Sequence, residues 1–227
     1  MVIIISSTNR SKARNEHISD YYITPIHDIE IFLNEFSQHV NINWSDIRIL
    51  DPCAGGNKEI MVDGRVFELY HPMSYPTALN NVFGKCSIQS IDIRKDSLAE
   101  IKTDYLKYNI DEESRPQVII TNPPFNIAMN IIQKALTDVD ENGYVIMLLR
   151  LNFFGSKERK SFFESYMPEW SFVHHIRIGF ADKKDDDGFV VFDKNGNPKR
   201  AGTDSIEYMH AVWRKGHNPD YTKLVLL

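Results

Sequence analysis

The stretch Asn122-Pro123-Pro124-Phe125 follows directly on the apolar run "VIIT" and sets an amide, two prolines and an aromatic ring side by side. Each proline locks its own φ and biases the residue before it away from helix, so the backbone here is extended and stiff. The Asn122 side chain and the Pro123 carbonyl can then point at one spot. Neither group is a useful base, but both accept hydrogen bonds. Together they can hold a planar amino group by its two N–H bonds and draw its nitrogen lone pair out of conjugation, toward an electrophile. Phe125 offers a ring on which a flat substrate can stack, a contact worth about 1–3 kcal/mol per base. A plain strand-terminating turn would account for the prolines but not for the amide and the ring.

Two further acidic turns precede this one. "DPCAGG", Asp51 to Gly56, ends an apolar stretch in small residues that let a ligand approach the backbone, although such a turn also joins strand to helix without any ligand. Asp92, 41 positions after Asp51, closes "SIQSID" and suits the paired hydroxyls of a ribose. Asp104 follows 12 residues later in "KTDYL", where it can accept from an exocyclic amine.

These groups need a frame that brings them together. Short β-rich runs alternate with helical patterns along the chain, the signature of βαβ units and a mainly parallel sheet with helices on its faces. Ile26, Ile29, Phe32, Leu33 and Phe36 recur at helical spacing after Pro25, predicting a helix over Ile26–Val40. Strands are expected at Ile47–Leu50, Ser87–Arg94, within Pro116–Phe125, Gly143–Phe154, Ser171–Phe180 and Glu207–Trp213, with helices near Ala128–Val139 and Lys157–Met167. In an open parallel sheet, ligands bind beyond the carboxyl ends of the strands. Asp51, Asp92 and Asn122 each stand at such an end.

Two segments break the rhythm. Asn57–Lys85 occupies the place of a crossover helix but is rich in aromatics and proline, and is expected to be an insertion. Asp182–Ser205 carries an acidic run and then "VVFDKNGNPKRA", whose Asn-Gly signals a tight hairpin.

At 227 residues, with 42% hydrophobic and 25% charged, the chain suits one soluble domain over 1–227. The early apolar run "VIII" is too short for a signal-peptide core or a membrane span, so a cytoplasmic protein without membrane association is expected. Cys53 and Cys86 form no metal-type pair, no metal is expected, and a reducing compartment fits them. The net charge of −5 is uneven: residues 1–150 carry 14 Lys and Arg against 20 Asp and Glu, and residues 151–227 carry 12 against 11. That leaves room for a polyanion on the C-terminal side without requiring one.

The motifs, taken together and in this order, resemble those of S-adenosylmethionine-dependent DNA adenine-N6 methyltransferases, a family with an [N/D]PP[Y/F] motif, over about residues 20–215. "YYITP" resembles the segment before the first strand, "ILDPCAGG" the cofactor loop, "IDIR" the acidic strand end, "TDYL" the adenine-side acid and "TNPPF" the catalytic motif; "IRIGF" and "TDSIEYMHAVW" are similar to the late strands of small phage-encoded members. The resemblance implies a Rossmann-like methyltransferase fold, a mainly parallel sheet with helices on both faces and a late antiparallel strand. It implies that Thr24, Pro25, Asp51, Cys53, Ala54 and Gly55 line the methionine end of the cofactor. Asp92 would bind the ribose, Ile93 flank the adenine ring and Asp104 meet its amine.

Asn122, Pro123, Pro124 and Phe125 would receive a target adenine flipped out of DNA, with Phe180 on its other face. The chain departs from the pattern in two ways. It lacks a third glycine after "DPCAGG", and it has no large target-recognition domain. Contacts with DNA would then fall to the insertion and to Lys194, Lys199 and Arg200, or to a partner protein. NPPF also occurs in enzymes that methylate guanine amines in RNA, and NPPY in those that methylate glutamine amides. An inactive, methyltransferase-like binding module is a further alternative. "DPCAGG" and "YYITP" favour DNA adenine.

Overall fold

Ile29, Phe32, Leu33 and Phe36 form the fully buried face of helix α1 (Ile26–His39), which Pro25 starts in an extended conformation. The structure is a computed structural model and describes residues 23–57, 60–62, 65–67, 71–180, 191, 199 and 206–227. After α1 come β1 (Arg48–Asp51), the small hairpin β2 (Ile60–Val62) and β3 (Arg65–Phe67), α2 (Ser74–Phe83), β4 (Ser87–Asp92) and β5 (Ile101–Lys102). β6 (Val118–Thr121), α3 (Ala128–Asp138), β7 (Tyr144–Arg150), α4 (Lys160–Ser165), β8 (Trp170–Val173), β9 (Tyr208–Arg214) and β10 (Lys223–Leu226) complete the order.

Among the described residues, eight strands form one sheet in the order β10-β8-β9-β7-β6-β1-β4-β5. All neighbours are parallel except β9, which runs antiparallel between β7 and β8. The central strands read as continuous apolar runs because both faces are covered. On one face Ile49, Val118, Ile120, Ile146 and Phe172 pack against the α1 and α2 residues Phe32, Leu33, Phe36, Ala78 and Leu79. On the other, Leu50, Ile91, Ile119, Val145 and Met147 meet Ile131, Ile132 and Ala135 of α3 and Phe162 and Phe163 of α4. Alternate residues of each strand therefore serve opposite layers.

The chain leaves β1 for β4 and β5 on one side, then returns to β6 on the other and continues to β7. Strand order thus reverses between β1 and β6. At that point the crossover connections diverge to opposite faces and leave a crevice at the carboxyl ends, where Asp51 and Asn122 stand.

The structure revises the expectations for residues 57–85 and for the strand at Ser171–Phe180. Residues 57–85 hold the crossover helix α2, and the segment between β1 and that helix is what departs from a plain βαβ unit. Pro76, Asn80 and Asn81 weaken the helical signal of α2, and packing of Tyr75, Ala78 and Leu79 against the core supplies what propensity lacks. β8 stops at Val173 rather than Phe180, because His174 turns inward and the chain leaves the sheet. β10 carries no periodic signal, since its residues lie mostly exposed on the sheet edge. The hairpin expected in 182–205 lies outside the described residues except Val191 and Lys199, which are joined by a 2.7 Å backbone hydrogen bond from Lys199 N. Among the described residues no helix is long and apolar enough to cross a membrane.

Candidate active site

Gly55 and Gly56 adopt φ of +66° and +73°, the left-handed region that favours glycine, and so turn the loop after β1 with two glycines alone. The loop is stitched to its surroundings. Ala54 N donates to Ile91 O at 2.9 Å, Leu98 N donates to Gly55 O at 3.1 Å, and a Cβ on Gly56 would come within 3.0 Å of the Leu98 side chain.

Asp92 holds this loop from β4. Its Oδ2 accepts from Gly55 N at 2.8 Å and its Oδ1 from Arg94 N at 2.7 Å, with Arg94 Nε 3.5 Å away. Arg94 Nη2 donates to Gly56 O at 3.0 Å, so the arginine spans the loop and the acid. A carboxylate has about four lone-pair sites, and Asp92 keeps capacity for further donors. Ile93 beside it is 61% exposed. Asp104 caps the short helical turn Tyr105–Lys107, accepting from Leu106 N at 3.0 Å.

Asp51 is fully buried. Its Oδ1 accepts from Thr121 Oγ1 at 2.6 Å and from Cys53 N at 3.2 Å, while Oδ2 is buried without a hydrogen-bond partner among the described residues. Burial pushes its carboxyl up to about 7, opposed by the hydrogen bonds from Thr121 and Cys53 and reinforced by the charge of Asp92. Burial and the Asp51 carboxylate push the Cys53 thiol well up, which argues against a reactive thiolate there.

Across the crevice, Asn122 Nδ2 donates to the hydroxyl of the buried Thr24 at 2.9 Å. The other side of the amide, Oδ1, is buried with no hydrogen-bond partner among the described residues. Pro124 O accepts from Ile127 N at 3.1 Å and leads the chain into α3.

Thr24, Cys53, Ala54, Asp92, Ile93, Asp104, Asn122 and Pro124 line one cleft of about 740 Å³, open to solvent. Asp51 and Gly55 support its walls through the bonds just described. Pro25, Pro123, Phe125 and Phe180 do not line it. The Phe125 centroid lies 5.8 Å from that of Tyr208, and Phe180 meets the same tyrosine edge-on at 4.9 Å. Both rings belong to a cluster with Leu148 and Ile178 rather than flanking an open slot. Lys199 is exposed, and Lys194 and Arg200 lie outside the described residues, as do Tyr21 and Tyr22.

The cleft also uses residues that the motif spacing did not single out, among them Ser74, Tyr75, Arg94 and Tyr105. Tyr75 begins a buried chain: its hydroxyl is 3.0 Å from His210 Nε2, and His210 Nδ1 is 2.9 Å from His174 Nε2. Burial holds His210 well below the usual histidine range and lowers His174 to about 4. In the sequence, the adjacent histidines of "FVHHIRI" carry no pattern that names these partners.

With this geometry the chain is similar in structure to a candidate class I S-adenosylmethionine-dependent methyltransferase from Listeria monocytogenes, at a TM-score of 0.53 and 11% identity over 92% of this chain and 66% of that one. The chain has a Rossmann-like methyltransferase fold. It spans just under two thirds of the length of the Listeria protein. Similarity extends to the N-methyltransferase NodS of Bradyrhizobium japonicum, with a TM-score of 0.45 and 8% identity over 84% of this chain and 96% of that one. It also extends to a candidate hemolysin from Lactococcus lactis, at 0.47 and 10% over 91% and 94%. No family model and no curated protein matches the sequence.

Proposed function

We propose that this protein transfers a methyl group from S-adenosylmethionine to the exocyclic N6 amino group of adenine in DNA. One observation carries the reading: Asn122, the amide of the NPPF motif, holds a buried, unsatisfied oxygen at the cleft while Thr24 fixes the plane of its amide. A buried acceptor without a donor is costly, and native structures leave few of them unexplained. The N–H of a planar amine supplies the missing donor.

The residues fit the cofactor. Asp92 retains acceptor sites for the ribose hydroxyls, exposed Ile93 offers an apolar edge to the adenine ring, and Asp104 lies on the same wall to accept from its amine. Asp51, with one buried oxygen unpaired, supports the methionine end with Cys53, Ala54 and Gly55. When bound, S-adenosylmethionine supplies an electrophilic methyl group on a sulfonium. The protein orients the acceptor: Asn122 Oδ1 takes one N–H of the target amine, and the nitrogen lone pair is turned out of the ring plane; the Pro123 carbonyl, which does not line the cleft here, would take the other N–H only after a local shift of the motif. Positioning of this kind can supply much of the acceleration without a covalent intermediate. The target base of a duplex must be flipped out to reach the cleft.

The test is methyl transfer from radiolabelled S-adenosylmethionine to unmethylated genomic DNA, with total RNA and a glutamine-containing protein substrate in parallel and Asn122→Ala as control. Label in N6-methyladenine of DNA, lost in the variant, is expected. Label confined to RNA or to the protein moves the reaction to that acceptor. Absence of both label and cofactor binding overturns the enzymatic reading.

A further inference from the structure

Arg150 ends β7 beside the strand that delivers Asn122, and its guanidinium carbon lies 4.5 Å from the ring centroid of Phe125. Among the described residues this guanidinium makes no ion pair and no hydrogen bond, and its Nε is buried without an acceptor. The carboxylate nearest in register is already engaged. Arg150 pairs across the sheet with Tyr208, and the preceding residue, Glu207, accepts from Arg177 Nη2 at 2.8 Å and Nε at 3.1 Å. The arrangement recurs in the connection that follows β7: the Arg159 guanidinium carbon sits 4.2 Å from the centroid of Phe153, again with Nε lacking an acceptor. Two arginines thus rest on phenylalanine rings without a counter-ion among the described residues.

The geometry points to Arg150 as a substrate-contacting residue, whose guanidinium leaves the Phe125 ring to pair with a backbone phosphate of the strand that carries the target base. The inference rests on the nucleic-acid reading above and assigns a contact that the motifs do not. A half-buried guanidinium with unfilled N–H donors is costly, and attraction to a ring offsets only part of that cost. Phosphate oxygens fill those donors in the fork geometry that arginine presents. Phe125 is also the ring on which a flat base would stack. Arrival of a base and transfer of Arg150 to the phosphate are therefore linked, so that the ring is freed when a strand is present to take the charge.

The test is fluorescence anisotropy of the full-length protein with labelled adenine-containing single- and double-stranded oligonucleotides, over about 50–300 mM salt. The affinity of a phosphate-contacting protein falls with salt in proportion to the contacts made. Arg150→Gln is expected to lower the slope of log affinity against log salt by about one and to weaken binding roughly three- to tenfold near 0.1 M salt, while Arg150→Lys keeps the slope. If the Gln variant does not fold, Arg150→Met keeps a long side chain against Phe125 and removes the same charge. A folded Gln or Met variant with the wild-type slope overturns the inference and leaves the nucleic-acid reading standing. Wild-type protein that shows no salt-dependent binding to either oligonucleotide overturns both.

Discussion

Thr121 Oγ1 donates to Asp51 Oδ1 at 2.6 Å, and both residues are fully buried where β6 and β1 part. Seventy positions separate them in sequence, yet this bond ties β6, which leads into Asn122-Pro123-Pro124-Phe125, to β1, which leads into the Asp51–Gly56 loop, at the point where the sheet reverses order. Thr121→Val keeps the shape and removes the donor. Unfolding in urea at pH 8 should show a loss of about 1–3 kcal/mol, with a smaller loss near pH 6, where the neutral carboxyl has less need of the bond. Equal losses at both values would mean that the bond does not track the charge on Asp51.

Asp51 makes stability depend on pH in an unusual direction for a carboxylate. Its folded pKa, about 7, lies above the ordinary 3.8, so the folded state holds the proton more firmly than the unfolded one. The stability this provides is complete below about pH 4 and is lost as pH rises toward 7. Thermal melts of Asp51→Asn should therefore gain on wild type as pH increases from 5 to 8. A constant difference across that range would refute the assignment.

His174 and His210 act in the opposite sense. Burial holds His174 at about 4, below the ordinary 6.5, and holds His210 well below the usual histidine range, so both are neutral when folded at neutral pH. Their contribution is present above about pH 6.5 and is lost as pH falls toward 4, where the unfolded chain takes up protons that the folded chain refuses. The melting temperature of the wild type should drop through that window, and His174→Gln should flatten the drop. The stacking of His210 on Phe32, with centroids 4.0 Å apart, makes His210 the more disruptive position to change.

Asn122 separates activity from stability. Its Oδ1 makes no bond among the described residues, so Asn122→Ala should change unfolding free energy by less than about 1 kcal/mol, the loss being that of the Thr24 contact. Methyl transfer should fall by about 10²-fold or more, as when a positioned polar group is removed from a reacting centre. Asn122→Asp keeps an acceptor in place and should retain part of the rate. An alanine variant as active as the wild type, measured in single turnover, would sink the proposed role.

Much of the fold was legible because local patterns and tertiary demands agree. β1, β4, β6, β7 and α3 form close to where apolar runs and helical periodicity put them, since a central parallel strand must be apolar throughout and an amphipathic helix must repeat at 3.6 residues. The elements that were missed lack such patterns. α2 is held by packing against α1 rather than by propensity, and the edge strand β10 buries too little to require a periodic sequence.

The sequence alone determined which chemical groups stand at the strand ends: Asp51, Asp92 and Asn122 are placed there by turns that small residues and prolines dictate. Only the tertiary structure decided how those groups are occupied. Asp92 spends part of its carboxylate on Gly55 and Arg94, Asp51 is pushed toward neutrality by complete burial, and Asn122 has its amide fixed by Thr24. Phe125 carries a guanidinium on its ring rather than lining the cleft. Turn chemistry acts over a few residues and is written locally. Desolvation and hydrogen-bond competition depend on what the fold brings within a few ångströms, from positions as far apart as Thr24 and Asn122.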